Sequence, residues 1–344
     1  MKIRVPDYYN KFKCIADKCP DTCCTYWDVV IDSKTAGKYK KIQGSIGEKL
    51  RSNMIVDEDG DIIFQCHKER CPFLAKNGLC DIQRKLGEES LSYTCRQYPR
   101  FFDEFGALQE YGLSFSCPEA ADIIINHKEK ITFTIEENSE ISVSPNDIEP
   151  ELFMYLVDTR KRIFEIVQNR NLSIDERVQE LYAYGMAIQQ AIDNQSFKTG
   201  EIPKVKAKDS GKEVIAAFDK MEMLRNDLSV YEKNCTGIDG QAVNNFEKYM
   251  SDREYEYENF LVYMIFKYYL KAVDDYDASE KINTAILSYM AVKRMGVGVY
   301  LKSGELKKEE NARIMQLYSK EIEHSTDNMQ ILKGLSVLAE RVVL

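Results

Sequence analysis

Nine of the ten cysteines in this 344-residue chain lie within its first 117 residues, at Cys14, Cys19, Cys23, Cys24, Cys66, Cys71, Cys80, Cys95 and Cys117, and only Cys235 lies beyond. Thiols used merely as small apolar fillers would scatter, whereas a metal or iron-sulfur site needs several thiolates to converge on one point. The front of the chain must therefore bend its loops around a common centre. Disulfides account poorly for the crowding. The opening Met1-Lys2-Ile3-Arg4-Val5-Pro6-Asp7 has no apolar h-region and no small-residue cleavage site, so the sequence predicts a cytoplasmic protein whose thiols stay reduced. A chain of this length also buries a large core without staples.

The spacing narrows the chemistry without partitioning the ligands. Cys14, Cys19, Cys23 and Cys24 fall within eleven residues, so one loop can deliver two or three thiolates at little entropic cost. Cys71, Cys80, Cys95 and Cys117 are more widely spread. A site needs about four thiolates, so nine suffice for two sites, or for one site with a shell of thiols. The two-knuckle zinc ribbon, the bacterial ferredoxin run and the Cys-x3-Cys-x2-Cys triad of radical chemistry are all absent. Structural zinc and an iron-sulfur cluster both remain open on spacing alone.

Other chemistry is weakly signalled. His67, in a polar stretch beside Cys66, reads as a surface residue, and His127 and His324 earn no role. Met295-Gly296-Val297-Gly298-Val299 holds a GxG but lacks the acidic strand end and third glycine of a Rossmann fingerprint. No Ser/His/Asp or Cys/His hydrolase constellation can be named. The formal charge of -9 is uneven: residues 1–117 carry 18 Lys+Arg against 17 Asp+Glu, and the remainder carries 29 against 39. An acidic body is a poor partner for a phosphate backbone, which argues against nucleic acid, but it does not repel a lysine-rich protein. No segment reaches the roughly 18 to 20 uninterrupted apolar residues of a membrane span, and Phe260 to Phe266, halted by Lys267, reads as a buried helix.

The expected fold is mainly α: a cysteine-rich N-terminal metal or iron-sulfur region with short strands over 1–125, a strand and connecting segment over 126–148, and a helical domain over 149–344. Trp27 to Ile31 predicts a strand running into a helix capped by Asp32-Ser33, and Asp59-Gly60 between Ile55-Val56 and Ile62-Ile63-Phe64 predicts a hairpin. A second pairing is expected across Gly106, then a helix from Pro118 and a strand over Ile131 to Ile135. Apolar periodicity predicts helices around 152–167 and 178–192, a mobile loop at 194–212, and helices near 212–232, 242–274, 278–295, 307–323 and 326–342. Met221, Met223 and Met250 are expected to fill core.

Between the cysteines the residues carry a resemblance. Cys14-Ile15, Cys19, Asp21-Thr22-Cys23-Cys24 and Trp27 are followed by Cys71-Pro72-Phe73-Leu74, Gly78-Leu79-Cys80 with Ile82-Gln83, and Leu86-Gly87-Glu88. Then come Thr94-Cys95-Arg96, Tyr98-Pro99-Arg100 and Ser116-Cys117-Pro118-Glu119-Ala120-Ala121. Over residues 8 to about 125 this pattern resembles the flagellin lysine-N-methylase family, and more loosely the small cysteine-rich domains that chelate zinc or iron. Beyond that, only the length and the aromatic helix around Tyr263 to Tyr269 are similar. The resemblance implies a cytoplasmic methyltransferase that moves methyl groups from S-adenosylmethionine to lysines of flagellin and requires a 4Fe-4S cluster. The ligand candidates it implies are Cys14, Cys19, Cys23, Cys24, Cys71, Cys80, Cys95 and Cys117, with Cys66 and Cys235 outside the pattern. Arg96, Tyr98 and Arg100 would line the cluster or simply pack, and Glu119 or Tyr98 would be candidate bases. The alternative is a zinc or iron-sulfur module with a redox or structural role and no transferase activity. Catalytic residues, the S-adenosylmethionine site and the oligomeric state stay unassigned.

Overall fold

A computed structural model of the chain describes residues 2–137, 148–205, 211–223 and 227–336. Seven strands occur in these segments: β1 (Lys2–Pro6), β2 (Val29–Val30), β3 (Met54–Val56), β4 (Ile62–Phe64), β5 (Arg100–Phe105), β6 (Leu108–Leu113) and β7 (Phe133–Glu137). The first five α-helices are short: α1 (Ser33–Tyr39), α2 (Gly44–Asn53), α3 (Asp81–Leu86), α4 (Tyr93–Gln97) and α5 (Pro118–Ile125). Ten more follow: α6 (Pro150–Val167), α7 (Ile174–Asp193), α8 (Gly211–Ala217), α9 (Ser229–Lys233), α10 (Gly240–Met250), α11 (Tyr255–Tyr268), α12 (Ala272–Asp275), α13 (Ala278–Ser303), α14 (Lys308–Glu323) and α15 (Thr326–Gly334). The architecture is mainly helical. No helix among the described residues is long and apolar enough to cross a membrane.

The chain folds as two units, one of Met1–Lys11, Phe102–Ser116 and Ala120–Leu344, the other of Phe12–Phe101 with Cys117–Glu119. β1 lies inside a four-stranded sheet of order β5-β6-β1-β7, parallel to β6 from Lys2 opposite Leu108 and antiparallel to β7 from Lys2 opposite Glu137. That pairing ties the first residues of the chain to the helical unit.

The helical unit is built around α11 and α13. On α11 every residue from Glu256 to Phe266 is buried, the pattern of a helix surrounded on all sides. Its buried carboxylates and the Asn259 amide nitrogen are paired. Glu258 accepts from Arg170 at 2.8 Å and Arg177 at 2.7 Å, Glu256 accepts from Arg253 and Asn311, and Asn259 donates to the carbonyls of Ile124 and His127. A buried ion triad fixes the sheet to α6: Glu110 of β6 accepts from Arg160 at 2.8 Å and from Arg4 of β1 at 2.8 Å. Ser173 closes a capping box at the start of α7, and Asp239 and Asp277 cap α10 and α13.

Several boundaries differ from the periodicity-based expectation. The helix expected over 242–274 is interrupted at residues 251–254, where Arg253 grips Glu256 and the carbonyl of Leu306 and so holds a turn. The one expected over 212–232 divides into α8 and α9. In contrast, α13 runs on past residue 295 to Ser303, through a Gly296/Gly298 pair that local propensity disfavours. Packing overrides that cost. A Cβ on Gly296 would stand 2.6 Å from the Tyr257 hydroxyl, and one on Gly298 2.5 Å from the carbonyl oxygen of Asn234. The expected strand over 131–135 is displaced to Phe133–Glu137, and part of the expected loop at 194–212 lies outside the described residues, as does the end of the last helix.

Candidate metal centre

The cysteine unit has a small aromatic core and long connections. Tyr39, Phe64 and Phe73 stack in sequence, with ring centroids 5.8 and 4.6 Å apart, and Val29, Ile31, Ala36, Leu50, Ile82, Leu91 and Cys71 pack with them. The strand at 29–30 and the capped helix after it form as expected, because Asp32 accepts from Thr35 N at 2.9 Å. Its other carboxylate oxygen accepts from Tyr93 N at 2.9 Å, pinning the start of α4 beside α1. The Asp59-Gly60 hairpin joins β3 to β4 in antiparallel register, with Gly60 at a φ of 88° that favours glycine.

This frame brings thiols together from four separate stretches of chain. The segment Thr22 to Trp27 is folded on itself: Thr25 donates to the Thr22 carbonyl at 3.0 Å, Cys24 N donates to Thr22 Oγ1 at 3.2 Å, and the Trp27 indole donates to the Cys23 carbonyl. Its edge is held by the segment 67–71, with Tyr26 N on Glu69 O and Cys71 N on Cys24 O, both at 2.9 Å. Cys80 is the N-cap of α3, and Cys95 stands in the first turn of α4, its amide donating to the capping Ser92 hydroxyl.

Mutual electrostatics define the neighbourhood. A hydrogen bond from Cys23 holds the Cys24 thiol down, at about 7, with Thr22 and the Arg70 guanidinium helping against the pull of burial. The same bond, together with burial and the nearby Cys24, Cys95 and Cys14, raises Cys23 well above the ordinary thiol range. Burial pushes Cys71 up to about 12, with Cys24, Cys95 and Cys80 adding, while the Phe73 amide opposes. Desolvation likewise pushes Cys95 up to about 11 against Ser92, with Cys24 and Cys80 adding. Cys80 is raised by burial and by Cys24, and the amides of Gln83 and Ile82 oppose. Cys24, Cys71, Cys80 and Cys95 thus each have a hydrogen-bond donor that favours the thiolate a metal would require, and Cys23 does not.

Of the eight predicted ligands, the fold places Cys23, Cys24, Cys71, Cys80 and Cys95 within one another's field, with Cys14 reaching Cys23. Cys19 donates to the Asp21 carbonyl at 3.3 Å, and Cys117 is buried immediately before α5. Cys66 also feels Cys24, but its sulfur donates to the Trp27 carbonyl at 2.8 Å. Cys235 lies in the other unit, buried. Among the described residues no three His, Cys, Asp or Glu side chains stand in an arrangement ready to hold a metal ion. The donors fit a thiolate-bound group in kind and number but not in their present arrangement, and closing four of them on one centre requires their side chains to move. Arg96 donates to the Glu89 carbonyl, Tyr98 packs edge-on to Trp27 at 5.3 Å, and Arg100 lies over the Phe12 ring at 5.1 Å, so packing occupies all three.

The metal-free chain has a testable order of thiol reactivity. Iodoacetamide is expected to label Cys24 first, with a rate that rises through a midpoint near pH 7, because the thiolate is the nucleophile. Cys71 and Cys235, each held at about 12, should stay unlabelled until the chain unfolds. Peptide mass spectrometry of samples labelled across neutral pH reads the order, and labelling of Cys71 ahead of Cys24 would contradict it.

Sequence reasoning missed two clefts in the helical unit. The larger, of about 680 Å³, is lined from α9 and its flanks, the end of α13 and the face of α14. The smaller, of about 370 Å³, is lined by Asp175, Glu247 and Lys293 among others, with Lys293 donating to Asp175 at 2.5 Å and Glu247 at 2.7 Å. The only signal for the larger is spacing. Val299, Lys302 and Ser303, and likewise Glu310, Arg313 and Leu317, fall on single helical faces, a pattern that any solvated helix also shows.

Residues 228–337 match the family model described as the FliB lysine N-methylase C-terminal domain. The match falls in the helical region, where the likeness noted from the sequence was loosest. Over 127 residues the chain is 28% identical to the lysine-N-methylase of Salmonella typhimurium (strain LT2), covering 35% of this chain and 32% of that protein. The flagellar biosynthetic protein FliU of Salmonella muenchen is also 28% identical over 127 residues, which make up 75% of its length. The lysine-N-methylase of Salmonella choleraesuis (strain SC-B67) shows the same identity, with 32% of its length covered. The aligned stretch thus spans about a third of these lysine-N-methylases. No solved structure matches.

Proposed function

We propose, on the support of the likeness to lysine-N-methylases, that the chain is a protein lysine N-methyltransferase acting on flagellin in the cytoplasm, with S-adenosylmethionine as donor and a 4Fe-4S cluster as its metal group. The observation that carries the proposal is the match of residues 228–337 to a lysine N-methylase domain in the same chain as a five-thiol neighbourhood.

Cys24, Cys71, Cys80 and Cys95 are the set that would hold the group, because each of the last three is perturbed by Cys24 and they come from distinct segments. When bound, an iron-sulfur cluster supplies a Lewis-acidic iron or a route for electrons. The chain's own part is to present the lysine. An alkylation at nitrogen needs the neutral amine, and a free lysine has a pKa of about 10.4, so the acceptor must lose a proton to a nearby base or through desolvation. The acidic balance of residues 118–344, 29 Lys+Arg against 39 Asp+Glu, favours the approach of a lysine-bearing protein.

The test is anaerobic purification followed by iron, sulfide and zinc analysis, then incubation with S-adenosylmethionine and cognate flagellin. A brown protein with stoichiometric iron and sulfide, and methyl-lysine on flagellin that disappears in Cys24→Ser and Cys95→Ser, is the expected result. A colourless zinc protein that transfers no methyl group would replace the proposal with a structural metal module.

A further inference from the structure

The larger cleft combines paired opposite charges with an apolar and aromatic wall. Its polar lining is two carboxylates, Asp227 and Glu310, and two cations, Lys302 and Arg313, joined by Asn234 and Ser303. Its apolar lining is Val230, Val299 and Leu317, with the Tyr231 ring beside them. The smaller cleft has the same balance, Asp175 and Glu247 against Lys293 and Arg294 with the Tyr289 ring, but there Lys293 is bound to both carboxylates. In the larger cleft, balanced opposite charges next to an aromatic ring suit a ligand that is a zwitterion at one end and a flat heterocycle at the other.

The cleft is formed by packing that leaves little freedom. Gly298 lets α13 approach the end of α9 so closely that a Cβ there would stand 2.5 Å from the Asn234 carbonyl oxygen. Arg313 is oriented by Gln316 at 2.6 Å and by Asp227 at 3.3 Å. Tyr231 lies among these charges, its hydroxyl feeling Glu310, Arg313 and Asp227. Val230, which lines the mouth, is 56% exposed although apolar. A volume of about 680 Å³ is within the usual range for a site that holds a nucleoside-sized ligand. Nine of its ten lining residues lie within the segment matched to the lysine N-methylase domain, and the tenth, Asp227, immediately precedes it.

We infer that this cleft is where the methyl donor binds, the amino-acid end of S-adenosylmethionine taken by Glu310 and Asp227 at its ammonium and by Arg313 and Lys302 at its carboxylate, with Tyr231 and the aliphatic lining against the nucleoside. The inference rests on the methyltransferase proposal, and it assigns the donor to residues of the helical unit.

Equilibrium dialysis of the anaerobically purified full chain against S-adenosylhomocysteine tests it, since that ligand has the donor's frame and no methyl group to transfer. The chain and its Glu247→Gln variant, altered in the smaller cleft, should bind one equivalent. Glu310→Gln and Arg313→Gln should bind about tenfold more weakly or worse, with circular dichroism and melting unchanged. Should either fail to fold, Ser303→Trp, at the exposed end of α13, obstructs the same mouth and should also abolish binding. Normal binding by the cleft variants, with loss in Cys24→Ser, would overturn the inference and leave the methyltransferase proposal standing. Absence of binding by the unaltered, metal-loaded chain would bring down the donor assignment along with it.

Discussion

Glu110→Ala is expected to destabilise the helical unit by about 3–5 kcal/mol, because it strands two guanidinium groups that no longer have a counter-charge. Glu110 and Arg160 are each 1% exposed, and the Glu110 carboxylate is shared between Arg160 and Arg4 at 2.8 Å. Arg160 also lies over the rings of Phe164 and Phe266 at 5.8 and 5.5 Å, so it cannot swing out to water without breaking a packed layer. Guanidinium chloride denaturation followed by far-ultraviolet circular dichroism measures the loss. The double variant Glu110→Ala/Arg160→Met should recover part of it, since replacing a buried pair by apolar side chains costs far less than breaking it. A loss below about 1 kcal/mol in the single variant would mean that the triad contributes no more than a surface ion pair.

Metal removal should act on the other unit and with larger effect. Its longest strand has three residues, β2 has two, and its helices other than α2 have seven residues or fewer, so little regular hydrogen bonding supports it. The aromatic core around Phe64 and Phe73 is all that opposes the entropy of long connections. Where thiolates from separate segments close on a metal, binding free energy becomes folding free energy, about 10 kcal/mol or more in small structural sites. Chelation or acid stripping is therefore expected to raise amide exchange across 12–101 by at least about a hundredfold, leaving α11 and α13 protected. Exchange that does not change after the metal is gone would show that the core alone suffices, and would count against a metal held by Cys24, Cys71, Cys80 and Cys95.

Local signals were legible in the sequence wherever a single residue dictates geometry. Asp32 as a cap, Asp59-Gly60 as a turn, Gly106 between β5 and β6 and Pro118 at the start of α5 each specify backbone through their own chemistry, and each stands where the sequence placed it. What the sequence hid is long-range. Nothing near Lys2–Pro6 announces that its partners lie at 108–110 and 133–137. Gly296 and Gly298 look like helix breakers until Tyr257 and Asn234 are seen against them. The cysteines were conspicuous by number, yet their partition depends on which loops face one another, and the fold sets Cys24 at the centre of that arrangement. The larger cleft drew no notice because Tyr231, Lys302, Glu310 and Arg313 are ordinary surface types until three helices assemble them.

The placement of β1 bears on the order in which the protein can be made. The helical unit owns residues 1–11 and then gives up the chain until 102, so the cysteine unit is an insertion between a strand and its partners. During synthesis β1 has neither of its sheet partners until β6 and β7 follow more than a hundred residues later. The inserted segment 12–101 is contiguous and complete just before β6 begins at Leu108, apart from Cys117 to Glu119. Were the proposed metal group held by Cys24, Cys71, Cys80 and Cys95, all four of those ligands would be synthesised before α11 and α13.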